Sequence, residues 1–399
     1  MGGALRYSWV TSVEEVGRAT WERCFGTHDV YRSYALALAT ERARIEGIEH
    51  RYLLGRRGDD VLVLLPCFRF RLSLGTVADE RVWRFFGAVE RAWPRLFELD
   101  MFFVGPVLAL CGEWLGLDPL PAEEHGAVLA AAKDEVLARA REERTGMVVL
   151  KEIRSHQLEL VRSAFAPEFR IYPSVPTMFV PLRAPGYGGR LERMRSRHRT
   201  KWSRKLRKFH QAGLRFELEA DFAVHAETFH QLYLNVLEHT GRRFETLTPD
   251  FFRATSELLG DDSAAMVAYD GERIVGFILL FADASYLQPI YLGMDYAYRD
   301  RAALYFNLLH VACEEAEARG YPVLELGQTA WEAKALMGGS MRRLHVAVHH
   351  RRALGRAAVH AARNWLFPRI PVPEHSVFRE PEDALAILRM RGIEPEVPA

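Results

Sequence analysis

The chain has 399 residues, enough for two domains that each bury a core of their own. Its 53 Lys and Arg nearly balance its 52 Asp and Glu, so no global field favours nucleic acid or membrane, and an electrostatic partner has to be drawn by a local patch. Four scattered cysteines (Cys24, Cys67, Cys111, Cys313) show neither CxxC nor Cys/His spacing, which excludes a zinc motif, predicts no metal and fits buried thiols in a reducing compartment. The N-terminus lacks the apolar core of a signal peptide, and the longest apolar stretch, around Gly276–Gly293, is interrupted by Asp283; the expectation is a soluble cytoplasmic protein.

In chain order, helical segments are predicted at about Ser12–Phe25 and Val30–Glu46. A hairpin follows, "HRYLLGRR" and "VLVLLPCFRFRL" about the turn Gly58-Asp59-Asp60. A helical stretch over Arg81–Glu98 carries Pro94 as a kink or stop. Then come the strand "DMFFVGPVLAL", a long helix over Ala122–Glu143 and a buried strand, Met147–Ile153. The Gly/Pro-rich segment "PLRAPGYGG" (Pro181–Gly189) reads as a linker, which gives domains at 1–183 and 184–368 and a proline-rich tail at 369–399 with one short helix.

The second half opens on a basic helix. Between Arg190 and His210 stand ten Lys or Arg residues against one acid, Glu192. Leu191, Met194, His198, Trp202, Leu206 and Phe209 recur at helical intervals, so one face packs and the rest is positive. A solvated helix, a phosphate site for a nucleotide-bearing donor, an RNA surface and an anionic membrane contact all fit that pattern. The strand "AAMVAY", the turn Asp270-Gly271 and the strand "RIVGFILLF" come next, followed by a third strand within Ser285–Tyr298. A helix over Arg299–Arg319 closes at Gly320, and "PVLELG" and "TAWEAKALMGG" supply a buried strand and a short helix. The first half runs through a similar order, which suggests a tandem repeat.

"KLRKFHQAGLRFEL", "HQLYLNVLEHTGRR", "TPDFFRATSELLG" and "ELGQTAWEAKALMGG" together resemble one branch of the GNAT superfamily, that of the Fem-type aminoacyl transferases and related N-acyltransferases associated with peptidoglycan or cellulose. The resemblance spans about Arg190 to His350 and includes a recurrent Gly, Lys and Gly, here Gly327, Lys334 and Gly338. It implies an α/β (α+β) fold of two tandem GNAT-like domains, each a mixed twisted sheet flanked by helices, with the first non-catalytic. The implied activity is transfer of an acyl group from acyl-CoA to an amine on a small or peptide-like acceptor. The alternatives are a Fem-type transferase that takes aminoacyl-tRNA through the basic helix, and a catalytically silent binding protein.

Two departures qualify the likeness. The segment that cradles pyrophosphate in ordinary GNAT enzymes is here "YRDRAALYF", with no glycine, so charge from Arg299 and Arg301 has to stand in for a nest of backbone donors. Where many of those enzymes carry a tyrosine to protonate the leaving thiolate, this chain has Lys334, whose ordinary pKa near 10.4 must fall for the task. The resemblance places Met294, Ala302 and Tyr305 with Arg299 and Arg301 on the donor. Asp295, just beyond the central strand, and Glu325, between apolar neighbours on "VLELG", are the candidate bases, with Lys334 as the third catalytic group. Tyr291, Gln328, His239 and Arg243 are the candidate acceptor-side residues. No HExxH, P-loop or serine elbow is present.

Overall fold

The computed structural model of the protein describes residues 5–26, 29–73, 98–108, 114–182, 190–240, 245–284, 286–373, 375–393 and 395. Arg243, Cys111, nearly all of the helical stretch expected over Arg81–Glu98 and most of the expected linker, with the border at 183/184, lie outside these residues.

Fourteen strands are described, grouped into two seven-stranded sheets. In chain order they are β1 (Arg6–Val10), β2 (Ile48–Arg57), β3 (Asp60–Ser73), β4 (Glu98–Val104), β5 (Met147–Ile153), β6 (Arg170–Pro173) and β7 (Thr177–Pro181). They continue as β8 (Arg215–Glu219), β9 (Ser263–Asp270), β10 (Arg273–Ala282), β11 (Leu287–Met294), β12 (Val323–Gly327), β13 (Ser340–Arg342) and β14 (His345–His350). The helices that position the sites below are α1 (Ala122–Glu142), α2 (Ser196–Gln211), α3 (Ala226–Thr240), α4 (Pro249–Leu259), α5 (Leu304–Ala318), α6 (Trp331–Ala335), α7 (Ala353–Ala361) and α8 (Pro381–Met390).

The chain forms two compact units. Unit 1 comprises Met1–Ser174, Gly241–Thr248 and Leu344–Arg369, and unit 2 comprises Val175–Thr240, Pro249–Arg343 and Ile370–Ala399. Their sheets run β1-β2-β3-β4-β5-β14-β6 and β8-β9-β10-β11-β12-β7-β13. Strand directions match position by position: antiparallel neighbours throughout, except for one parallel pair, β4–β5 in unit 1 and β11–β12 in unit 2. A parallel pair needs a crossover, and α1 and α5 supply it, each buried along one side. The tandem GNAT-like architecture is therefore present in both halves. One detail lay beyond the sequence pattern: the sixth strand of each sheet, β14 or β7, comes from outside the contiguous run that builds the first five.

In unit 1 the core gathers Phe102, Leu129, Val136 and Leu150 between sheet and α1. In unit 2 Ile278, Leu280, Leu308, Ala312, Leu324 and Leu326 pack one face of the sheet against α5, and Trp202 and Phe209 bring in α2. The opposite face carries an aromatic cluster in which Phe277 of β10 stacks on Phe229 of α3 at 4.0 Å and meets Phe252 of α4 edge-on. Cys24, Cys67 and Cys313 are buried free thiols.

Several boundaries differ from expectation for local reasons. The predicted first helix divides at Gly17, whose φ of 78° ends one helix and starts the next. The segment after Val30 is a short 3-10 turn and then a helix from Tyr34 to Arg42, capped by the Ser33 hydroxyl. The helix expected from Arg299 begins at Leu304, because Ala303 adopts the left-handed region at φ 50°. The basic segment splits into a turn at Arg190–Arg193 and α2, the break being held by a bridge between Met194 and Phe378.

That bridge also places the tail. Ile387, Leu388 and Ile393 pack with Phe179 of β7 and Val323 of β12, so residues of the proline-rich tail complete the core of unit 2. Phe378 sits against Gly338, which holds φ 90°, and a Cβ at that position would collide with the Phe378 ring. We expect Gly338→Ala to destabilise the protein by roughly 2 kcal/mol, from left-handed strain plus overpacking, as read by urea unfolding. Pairing it with Phe378→Ala should remove the collision and make the two costs less than additive; strict additivity would contradict this packing.

Candidate active site

The site begins with an irregularity in β11. Ile278 pairs with Leu292 and Leu280 with Pro289, so Leu279 alone faces two residues, Ile290 and Tyr291, and β11 bulges there. A bulge bends its strand, and the parallel partnership with β12 is in register at one position, Leu287 with Leu324. Beyond it β11 and β12 separate. The equivalent pair in unit 1 is in register over four positions, from Met101–Met147 to Val104–Leu150. Among the described residues the unit 2 pair is thus in register over a shorter stretch than its unit 1 counterpart. Gly293 pairs with Phe277; a Cβ there would meet the Phe277 ring and the backbone of Leu232 and Tyr233, so its role is to let α3 close on β11.

Glu325 and Lys334 lie on and just after β12. Leu324 and Leu326 point into the core toward α5, so by alternation Glu325 lies on the other face of β12. It is 2% exposed, and its Oε1 accepts a hydrogen bond from the Thr177 hydroxyl of β7 at 2.9 Å. From the last residue of β12 onward the chain passes through three left-handed residues, Gly327 (φ 66°), Thr329 (φ 61°) and Ala330 (φ 48°). Two of them are not glycine, a costly conformation that clusters at functional sites. The reversal seats α6 so that Lys334 is buried and its ammonium donates to the carbonyls of Gly327 (3.3 Å) and Gln328 (2.5 Å). Burial pulls the lysine pKa down to about 7, with the negative charge of Glu325 opposing that fall. A salt bridge to Glu332 does not form; that carboxylate faces His375 at 3.1 Å. Gln328 shares the loop, its Nε2 donating to the Val175 carbonyl.

The donor-side residues gather where α5 starts. No side chain caps this helix, and a bare N-terminus is electropositive. Asn307 donates to the carbonyls of Ala302, Ala303 and Lys205, tying the start of α5 to α2, and the Lys208 ammonium donates to the Asp300 carbonyl at 3.0 Å. Lys205 lies over the Phe306 ring and is lowered to about 8 by burial and by Arg204, Lys208 and Lys201. Arg299 is exposed and paired with Asp300; Arg301 is exposed, 3.6 Å from Asp270. Ala302 is fully buried, and Tyr305, half-buried, is pushed up to about 12 by burial.

The remaining candidates make contacts of their own. Asp295 caps the turn after β11 by accepting from the Ala297 amide at 2.9 Å, and it pairs with Arg273 of β10 at 2.7 Å, so its carboxylate is engaged on the β10 side. Its neighbour Met294 offers its carbonyl to Asn235 of α3. His239 stacks on Tyr296 with centroids 3.4 Å apart, and Tyr291 packs edge-on against Tyr233 and Phe251.

Sequence reading missed Thr177, because β7 is a short apolar run between prolines whose partners lie far along the chain. It missed Asn235 and Asn307, which carry no motif. It also read Arg190 and Arg193 as part of a positive surface, whereas both are buried: Arg190 donates to the Met337 carbonyl and to His310 Nδ1, and Arg193 to the Leu182 carbonyl. Since arginine only donates, the His310 proton resides on Nε2, facing Glu314 at 3.2 Å. Among the described residues no group of three His, Cys, Asp or Glu side chains is placed to hold a metal ion.

Comparison with known proteins follows the same lines. Residues 196–335 match the family described as the acetyltransferase (GNAT) domain. A search of curated proteins by sequence finds no match. Among solved structures, FemX is similar with a TM-score of 0.51 at 12% identity, over 86% of this chain and 96% of that one. The C-terminal domain of a protein described as a lysylphosphatidylglycerol synthetase from Agrobacterium fabrum is similar with a TM-score of 0.50 at 12% identity, over 88% of this chain and 96% of that one. At such identities the likeness shows the fold alone, a two-unit GNAT-like architecture similar to that of FemX, and the GNAT domain match covers residues 196–335.

Proposed function

We propose that the protein is an N-acyltransferase that works in the cleft between β11 and β12 of unit 2 and moves an acyl group from coenzyme A to an amine on a small or peptide-like acceptor. The separation of β11 from β12 after a single register carries the reading, because it provides a slot for an extended thioester arm that the zipped pair of unit 1 does not. In this mechanism Glu325 takes a proton from the acceptor ammonium, and the freed amine attacks the thioester carbonyl. Backbone amides of the bulged β11 steady the tetrahedral oxyanion. When it collapses, the carbon–sulfur bond breaks, and Lys334 in its ammonium form gives a proton to the departing thiolate. The second proton of the attacking nitrogen leaves to solvent as the amide forms, and proton return from Glu325 to Lys334 resets the pair. In this assignment Asp295 holds the turn, and the start of α5 with Arg299, Arg301 and Lys208 receives the donor phosphates.

One observation favours a second donor, aminoacyl-tRNA. Arg197, Lys201, Arg204 and Lys208 are all exposed and share one face of α2 at helical spacing, a longer positive track than a single pyrophosphate needs. Binding of coenzyme A and of tRNA, each at low and moderate salt, separates the two. Saturable coenzyme A binding weakened about tenfold by Arg301→Ala supports the thioester; binding of tRNA alone transfers the same cleft chemistry to an ester donor.

Lys334 gives two further expectations. Lys334→Ala should lower kcat by about 100-fold or more while changing donor affinity little, and unchanged turnover would remove it from the mechanism. Its titration should also mark stability. Because the folded pKa, about 7, lies below the unfolded one, the unfolded chain binds the extra proton between the two values, so stability rises with pH across that window. The wild-type protein should therefore gain stability relative to Lys334→Met between about pH 7 and 10, by up to about 1.4 kcal/mol per pH unit, as read by urea unfolding across pH. A difference that stays flat with pH would contradict the buried lysine.

A further inference from the structure

Three consecutive residues at the entry to β7 reach the parts of unit 2 that carry Glu325 and Lys334. The Val175 carbonyl accepts from Gln328 Nε2 at 3.1 Å, and the Pro176 carbonyl accepts from the Trp331 indole at 3.2 Å. The Thr177 hydroxyl donates to Glu325 Oε1 at 2.9 Å. Gln328 belongs to the left-handed loop, Trp331 opens α6 and Glu325 lies on β12, so one short segment ties strand, loop and helix together. The segment is stiff for a local reason: Pro176 fixes its own φ and keeps Val175 extended.

Register places the polar groups on one face. Glu325 stands opposite Phe179 of β7, and Thr177 stands opposite Arg342 of β13. The residues between them, Leu324, Met178 and Met341, belong to the core packed on α5, so alternation sets Glu325, Thr177 and Arg342 on the other face. Thr177 is fully buried. A hydroxyl that donates to a buried carboxylate favours its ionised form. Lys334 of α6 and Arg342 of β13, whose guanidinium lies 5.9 Å over the Phe179 ring, act in the same sense. Tyr286 meets Phe179 edge-on, and α8 brings apolar Ile387 and Leu388 to it. A charge has no direction, whereas a hydrogen bond does, so the hydroxyl is the group that can hold the carboxylate in one orientation.

We propose that Thr177 is a positioning residue: its hydroxyl keeps the Glu325 carboxylate ionised and aimed, while the carbonyls of Val175 and Pro176 hold the loop and α6 that carry Lys334. The inference rests on the proton-taking role given to Glu325 above. It holds for either acyl donor, because the acceptor ammonium has to lose a proton in both cases.

Two variants of the full chain separate the hydroxyl from packing. Thr177→Val keeps the size of the side chain and removes the hydroxyl; Thr177→Ser keeps the hydroxyl and removes the methyl. The first readout is an NMR titration of protein labelled with 13C at the glutamate carboxyls, with Glu325→Gln identifying the signal. The Glu325 midpoint should rise by about one pH unit in Thr177→Val and stay near the wild-type value in Thr177→Ser. This titration needs no acceptor, so it decides the hold of Thr177 by itself. The second readout is thiol release from acetyl-CoA with glycylglycine as the probe amine. The acidic limb of kcat/KM should move up with the carboxyl midpoint in Thr177→Val and return in Thr177→Ser. A midpoint that Thr177→Val leaves in place, or that Thr177→Ser moves as far, would overturn the proposal. A midpoint that moves while the acidic limb does not supports the hold of Thr177 and overturns Glu325 as the base, which keeps the two failures apart.

Discussion

Two parallel strands that meet at one register and then part set the conditions for everything else in unit 2. Strands of a sheet are held by regularly spaced backbone hydrogen bonds, and a bulge of two residues against one turns the strand out of that spacing. Here the bulge at Ile290–Tyr291 falls just after the Leu287–Leu324 pairing, so β10 keeps its hold on β11 while β12 turns instead to β7. The sheet stays continuous, yet β11 and β12 share a single register. An extended acyl carrier needs a groove flanked by backbone amides, and among the described residues the corresponding pair of unit 1 stays in register over four positions.

The opening governs the chemistry of the groups around it. Glu325 is held on β12 by a hydroxyl from β7, so its position depends on the strand that arrives from outside the contiguous run. Lys334 owes its place to three left-handed residues from the end of β12 onward, two of which accept strain that glycine would avoid. Burial holds the lysine near neutrality, and the carboxylate nearby keeps it from falling further. Packing thus brings the lysine down to about 7, at a site where a lysine in water would remain a cation.

Much of this architecture is legible in the residues. The strands β9, β10, β11 and β12 announce themselves as apolar runs between turn residues, and the long helix between β11 and β12 by its length and its closing glycine. The order of those elements suffices to predict the GNAT-like fold. The position of Lys334 follows from its spacing between Gly327 and Gly338, and Glu325 stands out as a charge between leucines. What the sequence withholds is long-range pairing. That β7 sits beside β12 and β14 beside β5 depends on partners more than 140 and more than 190 residues apart, respectively, and no local period encodes them. Burial of charge is equally hidden: Arg190 and Arg193 look like their exposed neighbours along the chain, and only the packed helices around them show that they bind carbonyls and a histidine. Asp295 reads as a base because it ends the central strand, while its carboxylate is engaged by an amide and by Arg273.

The central claim is that donor binding and chemistry belong to the β11–β12 cleft of unit 2. Hydrogen–deuterium exchange with and without a non-hydrolysable acyl-CoA analogue tests it most directly. The account predicts slowed exchange in residues 288–294 and 325–334, with no change in the corresponding strands of unit 1, 98–104 and 147–153. Protection confined to unit 1, or spread equally over both pairs, would contradict it.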